Sequence, residues 1–538
     1  MNINFWQITP LTIFLIFIAP VVIVLSSLFG EYSDNWTHLY NYVLTGYILN
    51  SLYLVVGVSI SVVVIGVGTS WLITNYTFTG KNFFEWALIL PFAVPPYILA
   101  YTFTGLFDTF GTANNLIRDI FFLGNDFTFF PKVRNIYGAI IVFSFTLYPY
   151  VYLVSRMAFI NQSRSILESG RTLGLNQFQV FYKLAVPMIR PAIIAGLMLV
   201  IMETLSDFGA VDHFAIATFT TGIFRTWYGM YDLETAMQLA SLLLIFVTIF
   251  IFIERRSRRK AAFSIAGSVY KPLRQIELKG YKNTIAFIAC LIPIFVGFIL
   301  PVLELSYWAL NYKLDFFNQK FISTALNTLY LSVVAAFLCT ILALIINFSI
   351  RYKPNNILKF LSSFLTVGYA VPGLILAIGV MRLLTFLDRS FTIEMFNLIL
   401  TGSLFGLIMA YIIKSYALSS TTFDAGFQRI SPRIDDVAKS LKTSGLGLLS
   451  KIHIPLLKTS FLTSMLLVVA EVIKELPATL ILRPFNFDTL AVSTYIYAAE
   501  ERMYDAAAPS ISIVLVGLIP IIILTRLIRT SRPASRNN

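Results

Sequence analysis

The chain is cut into blocks of about twenty apolar residues separated by short polar connections, and no other feature limits its fold so strongly. Such blocks can bury their surface only in lipid or against one another. Hydrocarbon offers no partner for an unpaired backbone group, so each lipid-embedded stretch has to be helical. Counting the blocks places spans at 8 to 29, 51 to 74, 85 to 107, 137 to 158, 190 to 210, 234 to 253, 283 to 307, 327 to 349, 360 to 386, 400 to 422, 460 to 480 and 508 to 528. The expected fold class is an all-α membrane protein of about 12 transmembrane helices. With 57% hydrophobic and 12% charged residues over 538 positions, a string of soluble domains is excluded.

The first block is long enough to span and no basic region precedes it, so a retained helix is expected there rather than a signal peptide. Cys290 and Cys339 fall inside expected spans without metal-ligand spacing and read as small packing residues. The net charge of +13 is spread over every second connection, as insertion with the positive side inward requires. Residues 31 to 50 carry no Lys or Arg, whereas 156 to 190 carry Arg156, Arg164, Arg171, Lys183 and Arg190. The stretch 254 to 282 and the tail from Arg526 to Arg536 are strongly basic. Both termini are therefore expected in the cytoplasm, and the charge calls for no nucleic acid.

The chain also repeats itself. Asn50-Ser51-Leu52-Tyr53-Leu54 returns as Asn327-Thr328-Leu329-Tyr330-Leu331, and Ala93-Val94-Pro95-Pro96 returns as Ala370-Val371-Pro372-Gly373, both 277 residues later. Beyond the fourth and tenth spans the offset is 268, aligning Glu203 with Glu471, Asp207 with Glu475 and Phe219 with Phe487. Six spans per half is an even number, so both halves enter from the same side as parallel repeats. The expected organisation is a first repeat over 1–253, a basic cytoplasmic linker over 254–282 and a second repeat over 283–538.

Each half contains one long cytoplasmic loop, 162–190 and 424–458. The first reads Glu168-Ser169-Gly170-Arg171-Thr172-Leu173-Gly174 and ends at Pro187; the second runs from Asp436-Val437-Ala438 to Pro455. Asn176 and Ser444 are good N-caps, followed by apolar positions Phe178, Phe181 and Leu184, or Leu446, Leu449 and Ile452. The pattern predicts a short helix, a break, and a second amphipathic helix stopped near the proline. Lys442 stands where the first loop has Gly174, which leaves the break and the register of 439 to 447 open.

These loops resemble the EAA loop of binding-protein-dependent ABC importer permeases. The resemblance implies the type I importer fold, two copies of a cytoplasmic ABC ATPase that use the ATP, and a periplasmic substrate-binding protein. It also implies coupling through Glu168, Gly170, Gly174, Pro187, Asp436, Ala438 and Pro455, in a bacterial inner membrane and with no second permease chain. No cofactor is expected on this chain and no enzyme activity, since it has no GxxxxGK[ST] loop and its three histidines share no metal spacing.

Glu203 with Asp207, and Glu471 with Glu475, each put two carboxylates on one helical face near the outer part of a span. Acids in a membrane usually face a cavity or a partner, so they are candidate pathway residues. Facing a common axis, they would suit a hard cation; ion pairs of Lys474 with Glu471 or Glu475 at a hydrated edge explain them equally well. His213, on an outer loop, reads as a hydrogen-bonded histidine before a metal ligand. The surrounding text, Glu203 to Ala210, Phe219 to Ile223 and Lys474 to Pro484, resembles the fused permeases of ferric-iron importers over essentially the whole chain. That resemblance implies Fe(III) as cargo. Permeases for thiamine, sulfate or polyamines share the loops and stay open, as does a secondary transporter driven by an ion gradient.

Overall fold

The computed structural model describes residues 5–162, 164–259, 275–312, 318–392 and 398–530. The linker residues 260–274 and the tail from 531 lie outside the described residues, so the expectations for their basic side chains concern sequence alone. In the first half the principal helices are α1 (Phe5–Ser26), α2 (Leu44–Asn75), α3 (Lys81–Ala93), α4 (Pro96–Phe107), α5 (Thr112–Phe121), α6 (Ile136–Ile160), α7 (Arg164–Thr172), α8 (Gln177–Ser206), α9 (Gly209–His213) and α10 (Leu233–Arg259). In the second they are α11 (Tyr281–Asn311), α12 (Gln319–Tyr352), α13 (Asn356–Ala370), α14 (Gly373–Leu387), α15 (Leu404–Gln428), α16 (Pro432–Ser440), α17 (Leu446–Leu456), α18 (Lys458–Ile473), α19 (Pro477–Leu482) and α20 (Ala507–Thr530).

Among the described residues, eight continuous helices are long and apolar enough to cross a membrane, and three bent pairs bring the number to at most 11. A helical element occupies each of the twelve expected positions; at the last, the apolar stretch Ala507–Ile523 is shorter than the others. The expected third and ninth spans are not single rods. Between α3 and α4 the chain turns by 90°, and between α13 and α14 by 112°. Both breaks fall on the repeated Ala-Val-Pro. Val94 and Val371 are extended, with ψ of 108° and 122°, because the ring of a following proline clashes with a helical residue before it. Helices α6 and α15 already match end to end at an offset of 268. The first half's nine additional residues therefore precede α6, in the loop 108–135, rather than following it.

The chain forms two compact units. One contains 1–36, 223–244 and 315–496, so helices α12 to α19 are joined by α1 and the start of α10. Here α1 packs on α14, and Gly379 lets Pro20 approach so closely that a Cβ would lie 2.5 Å from the Pro20 carbonyl oxygen. Tyr411, Tyr416, Phe423 and Phe348 fill its interior. The other contains 37–222, 245–314 and 497–538, so α2 to α9 are joined by the rest of α10, by α11 and by α20. Trp308 of α11 lies over Gly105 of α4, where any Cβ would overlap the indole, and Phe143, Tyr148, Tyr152 and Phe159 of α6 are fully buried in the same unit. In this unit β1 (Tyr76–Thr77) pairs in parallel with β2 (Ile276–Glu277), fastening the end of α2 to the last residues of the linker. The repeats of the sequence and the compact units are thus different partitions of the chain: each unit takes its core from one half and its flanking helices from the other.

Candidate coupling loops and membrane acids

Helix α7 ends in a Schellman motif. The Leu175 N–H donates to the Gly170 carbonyl at 3.1 Å and the Gly174 N–H to that of Arg171 at 3.0 Å, with Gly174 left-handed at φ +85°. Gly170 is buried because a Cβ there would run into the Leu184 side chain of α8. Asn176 then caps α8 through a capping box, its side chain accepting from the Gln179 N–H at 2.8 Å while Gln179 accepts from the Asn176 N–H at 3.0 Å.

The turn of the second loop is built the same way 268 residues later, but the helix after it is entered through Gly445, at φ +54° and without a side-chain cap, so the cap expected of Ser444 is not formed. The Thr443 N–H donates to Ala438 and the Lys442 N–H to Lys439, both at 2.9 Å, and Lys442 is left-handed at φ +59°. The break is therefore retained at Lys442, and the register of 439 to 447 is that of the first loop. The tertiary fold holds a lysine where glycine is favoured, at a cost of about 1 kcal/mol. Ala438, equivalent to Gly170, is likewise buried.

The expected stop near the proline is found in the second loop, where the helix ends at Leu456 and the chain bends by 76°, but not in the first, where Pro187 lies inside the uninterrupted Gln177–Ser206 helix. A π-bonded turn precedes each proline, Val180–Ala185 and Leu449–His453, and its wider register accommodates the ring and the missing donor.

The outward faces also correspond. Glu168 and Asp436 are exposed, as are Leu173 with Leu441 and Phe178 with Leu446. An acid and two uncovered apolar side chains thus flank the turn at matching positions in both halves; the leucine pair escaped the sequence reading.

What fastens the loops differs. In the second, Arg351 at the end of α12 donates from Nε to Asp435 Oδ2 at 2.7 Å and from its terminal nitrogens to the carbonyls of Phe427 at 2.6 Å and Ile430 at 3.0 Å. His453 of α17, fully buried against the rings of Phe348 and Phe427, has Nε2 3.1 Å from Asp435 Oδ1. Burial lowers its pKa, a tendency opposed by Asp435 and reinforced by Arg351. In the first loop the corresponding residues are Thr74, Leu167 and Ala185, and Leu167 and Ala185 are simply buried. The only signal in the sequence is that mismatch between otherwise matching repeats.

The structure places the four membrane acids in two different settings. Glu203 is half-buried and accepts from the Tyr150 hydroxyl at 3.4 Å. Asp207 caps α9 by accepting from the Ala210 N–H at 2.9 Å. Its counterpart Glu475 also caps, accepting from the Ala478 N–H at 3.3 Å, and in addition pairs with Lys414 of α15. A Cβ on Gly373, at the start of α14, would collide with that carboxylate, so the break after α13 and the Glu475 cap meet. Glu471 pairs with Lys474 at 2.9 Å. The second pair of acids is thus charge-compensated by two lysines where the first half has Thr146 and Ser206. His213 shares a hydrogen bond of 2.9 Å with the Thr104 hydroxyl, and burial, aided by Arg134, lowers its pKa to about 3, leaving a neutral imidazole. Among the described residues no three His, Cys, Asp or Glu side chains converge as a metal site.

Residues 63–255 match the family described as binding-protein-dependent transport system inner membrane component. The chain is similar to the Fe(3+)-transport system permease protein FbpB 2 of Haemophilus influenzae, with 26% identity covering 89% of each chain. It is 25% identical to the ferric transport system permease protein FbpB of Actinobacillus pleuropneumoniae over 95% of this chain and 76% of that one. The sulfate transport system permease protein CysT of Escherichia coli is 28% identical over 28% of this chain and 52% of its own. Helical architecture and these likenesses together make the chain a multi-pass inner-membrane protein that carries, over residues 63–255, the inner-membrane component domain of binding-protein-dependent transport systems.

Proposed function

We propose that this chain forms the whole membrane pathway of an ATP-driven importer for ferric iron, loaded by a periplasmic binding protein and driven by two cytoplasmic ATPase subunits. The observation that carries the coupling half of this reading is the loop pair. Two helix–turn–helix projections with the same Schellman turn, the same exposed acid and the same two exposed apolar side chains suit two identical docking grooves. Glu168 and Asp436 would face those grooves, Gly170 and Ala438 allow the tight packing behind them, Gly174 and Lys442 make the turn, and Pro187 and Pro455 follow the π-turns that lead back to the membrane. Both termini and the linker lie on the ATPase side in this arrangement.

Iron is supported by the names of the two relatives that match along nearly the full chain. Glu203 and Asp207 then remain the candidate pathway acids, while Glu471 and Glu475 serve mainly through their lysines. Those lysines favour a second reading, an oxyanion cargo as in the sulfate-named relatives.

The test is ATP hydrolysis by the reconstituted complex. Binding protein loaded with Fe(III) should stimulate it several-fold; stimulation by a sulfate-loaded binding protein instead would transfer the assignment to the second reading. Glu168→Arg with Asp436→Arg should abolish uptake and ATPase association while the protein still inserts. Retained association would overturn the coupling assignment.

A further inference from the structure

We propose that the outer loop 108–135 is an in-plane anchor that lays α5 into the outer leaflet of the bilayer. Two polar side chains of the loop, Asn114 and Arg118, are buried and satisfied inside it. Asn114 donates to the carbonyls of Phe107 at 3.2 Å and Asp108 at 2.9 Å and accepts from the N–H groups of Phe129 and Phe130. Arg118, buried one turn later, donates to the carbonyls of Thr109 at 2.7 Å and Phe127 at 2.8 Å and to Asn115 at 3.0 Å. These bonds give the loop a fixed shape. Outward, beside polar residues such as Asn115, Asp119 and Asp126, it turns an unusual amount of hydrocarbon: Phe110, Leu116, Ile120, Phe121, Phe122 and Phe129 are all more than half exposed, Phe122 at 96%.

A soluble surface does not leave in water a loop with six large apolar side chains this exposed within about twenty residues. The bilayer is the occupant its position selects. The segment lies between two membrane helices, starting directly after α4 and leading into α6, whose first turns expose Tyr137 and Ile141. The Thr112 hydroxyl at the start of α5 donates to Glu304 Oε1 of α11 at 2.5 Å, and α11 itself exposes Leu303, Tyr307 and Leu310. The uncovered face is thus continuous with the lipid-facing flanks of two spans of the same unit. Asp119, exposed beside Leu116 and Ile120, supplies the polar edge that a helix at the headgroup boundary keeps in water, and large aromatic rings favour that depth. A binding protein that docks and leaves would uncover the phenylalanines in every cycle, whereas lipid covers them permanently. The nine residues that the first half has and the second lacks fall in this loop, so the anchor belongs to one half only.

Depth-resolved quenching tests this. Phe122→Cys and, separately, Ile120→Cys would be labelled with nitrobenzoxadiazole in the full chain reconstituted into phosphatidylethanolamine–phosphatidylglycerol vesicles; the native Cys290 and Cys339 are buried. A lipid nitroxide near the headgroup should quench both labels at least twice as strongly as one near the chain terminus, with iodide in the water quenching weakly. Strong iodide quenching without lipid quenching would overturn the proposal. Protection from iodide that appears only when the binding protein is added would overturn it as well, assigning the face to that partner.

Discussion

The charged fastening of the second coupling loop makes a quantitative test available. Replacing Asp435 with Leu leaves the largely covered Arg351 guanidinium, 16% exposed, without its carboxylate, although the Phe427 and Ile430 carbonyls remain as partners. Breaking one side of a buried ion pair typically costs 3–5 kcal/mol, and the retained carbonyls place this case near the lower end, about 3 kcal/mol. Replacing both members, Arg351→Met with Asp435→Leu, removes the orphaned charge and keeps most of the volume, so its cost should be only about 1 kcal/mol. The double variant is expected to be more stable than the single one by about 2 kcal/mol, roughly a thirty-fold difference in local opening. Hydrogen exchange of the α16 and α17 amides in detergent-solubilised protein reads this locally, independent of the rest of the membrane domain. Opening in the double variant equal to or greater than that in Asp435→Leu would show that the ion pair does not hold the loop.

Lys442→Gly should stabilise the second loop by about 1 kcal/mol by relieving the left-handed lysine, and Gly174→Ala should destabilise the first by a similar amount, both seen as changed exchange of the flanking helices. His453 has a lowered pKa because burial disfavours its charged form, so it folds as a neutral imidazole; the stability this supports is complete above the ordinary value of 6.5 and declines as pH falls below it. Coupling-loop opening should therefore increase on acidification in the native chain and lose that dependence in His453→Gln. Lys414→Met should strand the Glu475 carboxylate and abolish transport, and adding Glu475→Gln should restore assembly; a double variant no better folded than Lys414→Met would refute the pairing.

Much of this architecture is legible in the sequence, because lipid forces helices and insertion forces the alternation of charge. The twelve apolar blocks, the duplication and the two matching helix–turn–helix loops can be read from residues alone. The repeated Ala-Val-Pro was visible as a repeat but not as a 90° or 112° break: a proline signals a boundary, while the angle depends on what packs around it. Lys442 obscured the second turn because left-handed geometry is enforced there by two backbone bonds rather than by residue type. Arg351, Asp435 and His453 are 84 and 18 residues apart along the chain and become neighbours only when α12, α16 and α17 fold together. Lys414 sits in an apolar block as an apparent intrusion until Glu475 is placed beside it.

The partition of the chain into units that borrow helices has a consequence for its handling. A half cut out as a separate polypeptide carries the flanking helices of the other unit and lacks those of its own, so neither fragment contains everything one compact body requires. Two such fragments made together could restore both bodies only by mutual exchange, and a nick within 260–274 would leave the pieces bound by helices rather than by the peptide bond.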